Sequence, residues 1–502
     1  MGYKKEVISM GNNKASQQMI QDEVFFGIVP LSKKDKLYGF WDIFLVTAGY
    51  AIATYCYIQG ATVSQMMPLA SVIFNVLGGM GFVGLFLCMT MMIATRFGVD
   101  LWFYQRAIYG FWGLCVIMII SFCCSLGYCG VNSHVYGLSL AKISNSLLGT
   151  DIQTGSFAQQ ALSMTCILFG WLIAMKGPIM VRRVTKIMVP LLLIVGVLMV
   201  IMVLTRYSFS ELLAYRPEGY GGKDWSSYIL ALEWNIAFIA AWYPAVGALP
   251  RLVKGERQSF WGNWLGLVLI MGIFIIIGAF TSIAMSMATN TYSDDPTDWL
   301  MYFGGNTMGL LSLVCIGFAN ITTQSLTMYV MTVSTKMLNP KWNYKIICTI
   351  WSIYTAVFLA TGLMWKAYTL FVAIVGLVSA PAIGLMCVDF FLVRKQKVSI
   401  DAMYMNRGNK SYYYTKGFNL VGFGCFFAGI LAFLLVYNPI TAEPRSSLFM
   451  ILAATGTAMA TSALLYFICS KIPPVRKYLL KDRDDPRLCF LNKKKRAKAT
   501  QT

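Results

Sequence analysis

Twelve long apolar runs constrain this chain more than any other feature of its sequence. A helix needs about 20 apolar residues to cross the hydrocarbon core of a bilayer. Only 12% of the 502 residues are charged, against about 25% in a typical soluble domain. The sequence therefore predicts an all-α integral membrane protein with about twelve transmembrane helices. The runs cover residues 39–63, 69–95, 111–138, 156–175, 187–205, 227–249, 259–286, 306–331, 344–364, 367–392, 417–437 and 446–470.

Positive charge predicts how these spans are oriented. With the N-terminus inside, only six of the 41 Lys and Arg residues fall in the outer loops. Because Lys and Arg accumulate on the cytoplasmic side of a membrane, both termini are predicted to be cytoplasmic, in a multi-pass protein of the plasma or inner membrane. The net charge of +20 therefore reflects topology and not nucleic-acid binding. The basic cluster 493–496 is read as a solvated tail, with attraction to anionic lipid as the alternative.

Residues that bind metals are scarce. The chain has one histidine and no paired Cys-x-x-Cys motif, so a zinc site is not expected. No cofactor is predicted. The sequence implies contact with the lipid bilayer and no protein partner.

Runs 1 and 6 are interrupted at matching positions. Run 1 contains TAGYA at residues 47–51, with Gly60 further on, and run 6 contains PAVGALP at residues 244–250. Each is the first of five spans, and paired interrupted helices in two halves point to the midplane binding site of a transporter. The alternative is that these glycines and prolines only pack neighbouring helices closely.

Run 8 carries a dense polar patch at residues 319–327. Its adjacent hydroxyls, Thr322 and Thr323, suit a small hard cation such as sodium. They could instead bond carbonyls one turn back. Ionisable residues at membrane depth are functional candidates by default; those in the apolar runs are Asp42, His134, Glu233 and Asp389, of which His134 and Glu233 are candidates for proton coupling.

Several motifs, in order over roughly residues 38–440, resemble the nucleobase:cation symporter-1 family. The helix-3 segment 127–132 (GYCGVN) is similar to the family's glycine–tryptophan–x–glycine segment, with Tyr128 in place of tryptophan. A second departure is Ala248, where the family has an aspartate three residues before the position of Arg251. The remaining motifs are 96–100 (RFGVD), 106–113 (RAIYGFWG), 322–324 (TTQ), Pro381 with 389–394 (DFFLVR), and 412–419 (YYYTKGFN).

The resemblance implies two inverted five-helix repeats, residues 37–205 and 206–393, followed by two extra helices in 394–470. Cytoplasmic tails would cover 1–36 and 471–502. It also implies a secondary transporter that couples uptake of a nucleobase or related small heterocycle to sodium or a proton, by alternating access. A transporter of the same fold for an amino acid or amine is the alternative. A membrane-embedded enzyme is disfavoured, because the ionisable residues are scattered.

The resemblance also assigns candidate sites between helices 1, 3, 6 and 8. Tyr128 and Asn132 lie four residues apart and therefore share one helix face. An aromatic ring can stack on a flat heterocycle, and an amide offers it a donor and an acceptor. Trp234 is a further candidate for the aromatic of helix 6. The expected substrate contacts are Gly49, Tyr128, Asn132, Phe238, Trp242 and Gln324; the expected sodium ligands are Tyr50, Ala53, Ala319, Thr322 and Thr323; the expected gating residues are Asp42 and Arg251.

Overall fold

Helices occupy all twelve predicted runs, and we label them α1 to α12. The structure is a computed structural model, and it describes residues 30–480 apart from 33, 219, 221–224, 340, 363–366 and 405–411, with the backbone alone at 178–183, 185–187 and 191. Most of the N-terminal tail, the basic cluster 493–496 and the connection between runs 9 and 10 lie outside these residues. Eight described helices are long and apolar enough to cross a membrane singly, and the halves of α1 together form a ninth.

The spans other than α1 and α6 follow the predicted runs closely. The largest difference at the start of a span is at run 5, which begins at Pro178 instead of 187: the basic residues at 182, 183 and 186 shorten the apolar run, but proline is favoured in the first helical turn. The spans are α2 (Leu69–Phe97), α3 (Phe111–Leu148), α4 (Phe157–Met175), α5 (Pro178–Leu204), α7 (Glu256–Thr289), α8 (Leu310–Lys336), α9 (Tyr344–Thr361), α10 (Tyr368–Val393), α11 (Leu420–Val436) and α12 (Phe449–Cys469).

Helix α1 is broken, as the sequence predicts, but at a different place. Its halves, α1a (Phe40–Ala51) and α1b (Thr54–Ser64), are bent by 59°. The break falls at residues 52–53 and not at 47–51, which remain helical. The Tyr55 hydroxyl donates to the Tyr50 carbonyl (3.0 Å) and the Cys56 thiol to the Ala51 carbonyl (3.1 Å). These side chains satisfy the carbonyls that end α1a, so the break needs no glycine or proline.

Helix α6 breaks within the predicted segment. A regular helix, α6a (Trp225–Ala240), is followed by turns and two short 3-10 segments, Tyr243–Ala245 and Pro250–Leu252. Pro244 and Pro250 each stand in the first turn of a 3-10 segment, where the missing N–H is tolerated.

The halves of α1 and α6 are held against neighbouring spans. Helix α1b packs on α7, where a Cβ on Gly60 would stand 1.9 Å from the Ile275 carbonyl oxygen. A Cβ on Gly278 would likewise stand 2.4 Å from the Tyr57 carbonyl oxygen. Gly60 is therefore a packing residue that lets two backbones touch. Helix α6a packs on α2, α10 and α12, while α3, α4, α8 and α9 form a second group.

The ends of the spans define two faces. The near face carries residues 30–39, the α2–α3 loop (98–110) and the C-terminal helix Pro473–Leu479. The far face carries a short helix before α8, Pro296–Gly304, and a small antiparallel hairpin in which Tyr437 pairs with Pro444.

Candidate functional site

A small internal cavity lies where the break in α1, the middle of α3, the break in α6 and the polar patch of α8 meet. Its free space is about 20 Å³, and a single water needs about 10–15 Å³. The site is therefore contracted in this conformation, with room for water but not for a ring. The lining residues are Tyr55, Ser125, Tyr128, Cys129, Asn132, Ala241, Trp242, Ala245, Thr323, Thr327 and Met331.

Aromatic rings form one side of the cavity. Tyr55 stands 5.2 Å from Tyr128 and 5.8 Å from Trp242, measured between ring centroids. Phe238 lies behind them, fully buried, with its ring 5.7 Å from that of Tyr128. These contacts bring together rings from α1, α3 and α6, and tilted or edge-to-face pairs of this kind hold each ring in a defined orientation.

Three polar atoms of the lining have no hydrogen-bond partner among the described residues. They are the Tyr128 hydroxyl, the Trp242 indole nitrogen and the Thr323 hydroxyl, and they come from three different helices. Leaving a buried polar group unsatisfied costs about 1–3 kcal/mol. A ligand in this cavity would find two possible acceptors and three possible donors already desolvated.

The site also contains two residues that the sequence did not assign, Thr54 and Asn320. Thr54 is the first residue after the break in α1. The Thr54 hydroxyl lies 2.9 Å from Oδ1 of Asn320 and 3.3 Å from Oδ1 of Asn132. One hydroxyl has one proton, so it can satisfy only one of these amide oxygens at a time. Thr54 therefore links α1b to both α3 and α8. Asn320 lies inside the polar patch of run 8, and this patch was the sequence signal that could have identified Asn320 as a site residue.

The expected sodium ligands are all buried. Thr323 points its unpartnered hydroxyl into the cavity lining. The Thr322 hydroxyl donates to the Phe318 carbonyl at 2.8 Å, which is the alternative considered for this patch, although its lone pairs stay available. Ala53 is extended, whereas the Tyr50 carbonyl already accepts a bond from Tyr55.

Three expected substrate contacts, Gly49, Phe238 and Gln324, do not line the cavity. Gly49 is buried inside α1a, one turn before the break. Gln324 faces α4, since its Cγ lies 2.4 Å from where a Cβ on Gly170 would be. Tyr128, Asn132 and Trp242 do come together, and Phe238 supports them from behind. Trp234, the other candidate aromatic of α6, lies 3.4 Å from the Tyr437 hydroxyl, towards the far face.

The expected gating residues lie at the near face. The Asp42 carboxylate accepts the Gly39 N–H (3.1 Å) and so caps α1a. Arg251 is buried, and its Nε donates to the carbonyl of Ala248 at 3.1 Å.

Arg251 also interacts electrostatically with Asp100 of the α2–α3 loop. The Asp100 carboxylate is buried and accepts bonds from the Trp102 N–H (2.8 Å) and the Ser334 hydroxyl (2.9 Å). Burial raises the pKa of Asp100 and lowers that of Arg251, and the attraction between them opposes both shifts. Asp100 thus supplies negative charge near Arg251, whereas position 248 offers only a carbonyl. The sequence placed Asp100 in a motif without giving it this role.

Two broken helices that meet at an aromatic cavity with buried, partly unsatisfied lining residues define a secondary transporter of the inverted-repeat class. Residues 30–467 match the family described as permease for cytosine/purines, uracil, thiamine, allantoin. The chain belongs to this family, which is the nucleobase:cation symporter-1 family that its motifs resemble.

Curated relatives are similar over part of their length. The chain is 23% identical to the purine-uracil permease NCS1 of Arabidopsis thaliana over 69% of this chain and 60% of that protein. It is 24% identical to the allantoin permease of Bacillus subtilis over 47% of this chain and 48% of that protein. The chain therefore matches about half to three-fifths of the length of these relatives.

Solved structures share the fold. Mhp1, a nucleobase-cation-symport-1 family transporter in a closed conformation with bromovinylhydantoin bound, superposes with a TM-score of 0.73 at 18% identity, over 91% of this chain and 95% of that one. A Na+-coupled sialic acid symporter gives a TM-score of 0.60 at 13% identity, over 90% and 92%. These similarities confirm the mostly helical membrane fold, with which the twelve predicted helices are consistent.

Proposed function

We propose that this protein takes up a nucleobase or a related small heterocycle by alternating access, coupled to sodium or a proton. The observation that carries this proposal is the cavity between the two broken helices, with its aromatic wall and three unpartnered polar atoms. The substrate class named in the family description and in the relatives' names favours a heterocycle over an amino acid or amine.

The proposed substrate site uses the two surfaces of a flat ring. Tyr128 and Trp242 offer ring faces and also one unpartnered donor each. Asn132, one turn from Tyr128, offers an amide to the hydrogen-bonding edge of the substrate. Stacking on an aromatic side chain is worth about 1–3 kcal/mol for a base. Opening of either face must widen the cavity before a ring can enter.

The proposed ion site lies beside the break in α1. Thr323, with Thr322 and the carbonyls near Ala53, would give a sodium ion oxygen ligands. Two gates would then alternate. Arg251, together with Asp100, closes the near face in this proposal, and Asp42 keeps a gating role as the cap of α1a.

The proposed orientation follows the charge distribution. The near face is cytoplasmic in this proposal, because the described basic residues are concentrated there. The repeats would run over residues 37–205 and 206–393, in the plasma or inner membrane.

Reconstitution tests the function directly. Proteoliposomes containing the full chain are given radiolabelled uracil, adenine, hydantoin, allantoin, thiamine and phenylalanine, with a sodium gradient, a pH gradient or neither. We expect gradient-dependent uptake of at least one heterocycle and competition among related rings. Uptake of phenylalanine alone, or uptake that ignores both gradients, would contradict the proposal.

Two substitutions test the site. Tyr128→Ala and Asn132→Ala should each weaken apparent affinity for the transported ring by about tenfold, since one contact of about 1–2 kcal/mol is removed. Tyr128→Trp keeps an aromatic face and should be tolerated. Gln324→Ala is the matched comparison, because this side chain faces α4. Unchanged affinity in both alanine variants would place the ring elsewhere.

A further inference from the structure

Glu233 is a buried carboxylate in the middle of α6a. Its side chain is fully buried and faces α12. One carboxylate oxygen accepts the Thr455 N–H at 2.8 Å, and the other accepts the Thr455 hydroxyl at 2.6 Å. In both contacts Thr455 donates to the carboxylate, which is the arrangement that an ionised carboxyl group requires.

Helix α12 is broken where Glu233 meets it. Ala453 has φ 53° and ψ 179° inside an otherwise helical segment. This conformation is essentially restricted to glycine, and for other residues it costs about 1–3 kcal/mol. The break frees the N–H groups that follow Ala453, and Glu233 accepts one of them from Thr455. The second half of α12 therefore begins on a carboxylate, which its dipole favours.

The contact lies where three helices meet. A Cβ on Gly376 of α10 would stand 2.6 Å from Ala237 of α6a and 3.2 Å from the Thr455 hydroxyl. Phe238, one residue beyond Ala237, packs on Tyr128 at the cavity. Glu233, which meets the α12 break, is therefore five residues, or about 1.4 helical turns, from Phe238 along α6a.

Polar neighbours of this region are mostly neutral. Asn235, half a turn from Glu233, accepts from Gln59 of α1b and donates to Asn75 of α2. From α10, the Tyr368 hydroxyl donates to Gln59. Among the described residues, the titratable Tyr437, after α11, interacts electrostatically with Glu233.

We propose that Glu233 is an intramembrane proton-binding site that controls the break in α12. Ionised, Glu233 caps the second half of the helix and holds Ala453 in its strained conformation. A proton from the aqueous phase binds one carboxylate oxygen, removes the negative charge and weakens the cap, so Ala453 becomes helical and α12 continuous. This inference rests on the proposed function for its relevance to transport, but its chemistry can be tested without a substrate.

Infrared spectroscopy of the full chain in liposomes tests proton binding. Spectra are taken from neutral to acidic pH for the wild type, Glu233→Gln and Glu211→Gln, whose exposed carboxylate caps a helix at the far face. We expect a protonated-carboxyl band that Glu233→Gln lacks and Glu211→Gln keeps. If Glu233→Gln shows the same bands as the wild type, the proposal is overturned. Because no uptake is measured, this outcome is independent of whether the protein transports a heterocycle.

A glycine at position 453 tests whether Glu233 controls the break, because its effect on Tm should change sign when Glu233 is replaced. Ala453→Gly removes the backbone strain and should raise Tm in the wild type. In Glu233→Gln, α12 is expected to be continuous, so the same glycine sits inside a helix and should lower Tm. Ala454→Gly, at a helical position, should lower Tm in both backgrounds. If Ala453→Gly raises Tm in both, the break does not depend on Glu233 and the proposal fails.

A second measurement covers the case in which Glu233→Gln does not fold. The effect of Ala453→Gly on Tm is then measured in the wild-type background at neutral and acidic pH. We expect stabilisation at neutral pH to become destabilisation on acidification. The same sign at every pH would overturn the proposal.

Discussion

The two faces of the protein are closed by different kinds of contact. At the near face, the α2–α3 loop holds the segment after α6a through backbone and buried bonds: Leu101 N–H to the Gly247 carbonyl at 3.3 Å, and the Trp102 indole to the Pro244 carbonyl at 3.2 Å. At the far face, Lys142 of α3 holds the short helix before α8 through Asp295 (2.9 Å).

Burial separates these contacts further. Asp100 and Arg251 at the near face are almost fully buried, whereas the side chains of Lys142 and Asp295 are 22% and 20% exposed and Asp298 is 48% exposed. A polar cavity of about 450 Å³ also opens at the far face, beside Gln65. Exposed ion pairs are worth about 0–1 kcal/mol, while buried networks are costly to break. The far face should therefore open more readily from this conformation.

The largest expected effect comes from a buried ion pair at the near face. Arg394 and Asp389 are fully buried with Nε–Oδ2 at 2.9 Å, and the Tyr104 and Tyr466 hydroxyls donate to the same carboxylate. Asp389→Leu leaves a buried unpaired charge and should destabilise the fold by about 3–5 kcal/mol, measured as a loss of Tm.

A more exposed ion pair serves as the control for the effect of burial. Arg96→Gln breaks a pair with Glu256 whose side chains are about 30% exposed, and it should change stability by about 0–1 kcal/mol. Replacing both buried partners, as Asp389→Leu with Arg394→Met, should recover part of the loss. Equal effects of Asp389→Leu and Arg96→Gln would contradict the ranking by burial.

The second effect is steric and acts on the near-face gate. A Cβ on Gly247 would stand 2.8 Å from an Asp100 carboxylate oxygen. Gly247→Ala should therefore lower the stability of this conformation by about 1–3 kcal/mol and loosen the contact between the α2–α3 loop and the segment after α6a. Cys129 lines the cavity and is buried, so its labelling by an impermeant thiol reagent from the near face should speed up.

Gly255→Ala is the matched control, because the nearest atom to its Cβ would be 3.8 Å away, on Gln258. It should leave Cys129 labelling unchanged. If Gly247→Ala also leaves labelling unchanged, the α2–α3 loop does not hold the near face shut.

The sequence predicted contacts that depend on local chemistry and missed those made across the fold. Apolar length located the spans, and Pro244 and Pro250 marked the break in α6. The break in α1 lies at residues 52–53 and not at 47–51, because Tyr55 and Cys56 satisfy the carbonyls that end α1a. The residue types tyrosine and cysteine do not predict this role. The break in α12 contains no proline, and at Ala453 it lies beside the contact between Thr455 and Glu233, which is 220 residues earlier in the chain than Ala453.

The candidate site divides in the same way. Tyr128 and Asn132 could be paired from their four-residue spacing, and both line the cavity. Thr54 meets Asn320 across 266 residues, and Asp100 meets Arg251 between two loops. Such pairs depend on the packing of α1b against α8 and of the α2–α3 loop against the end of α6, which one sequence does not specify.

The third expected effect concerns the ion that would couple the two faces. Thr323→Ala removes one proposed oxygen ligand and should weaken sodium activation of uptake by at least about tenfold, or about 1.4 kcal/mol. Thr332→Ala, which removes a hydroxyl bonded within the same helix to the Met328 carbonyl, should leave sodium activation unchanged. Wild-type sodium dependence in a Thr322→Ala, Thr323→Ala double variant would mean that the ion binds elsewhere or is a proton.

The smallest effect is expected at the far face, where Lys142 forms ion pairs with Asp295 and Asp298. Lys142→Met removes an exposed ion pair, so it should change stability by about 0–1 kcal/mol. The same free energy would raise Cys129 labelling from the far face by at most about fivefold, and raising the salt concentration should mimic the substitution in the wild type by screening the charges. Labelling from the near face should not change, because the contacts of the α2–α3 loop around Asp100 are intact. If Lys142→Met exposes Cys129 from the near face instead, or if salt has no effect on wild-type labelling, this ion pair does not latch the far face, and the two faces do not differ in the way their burial indicates.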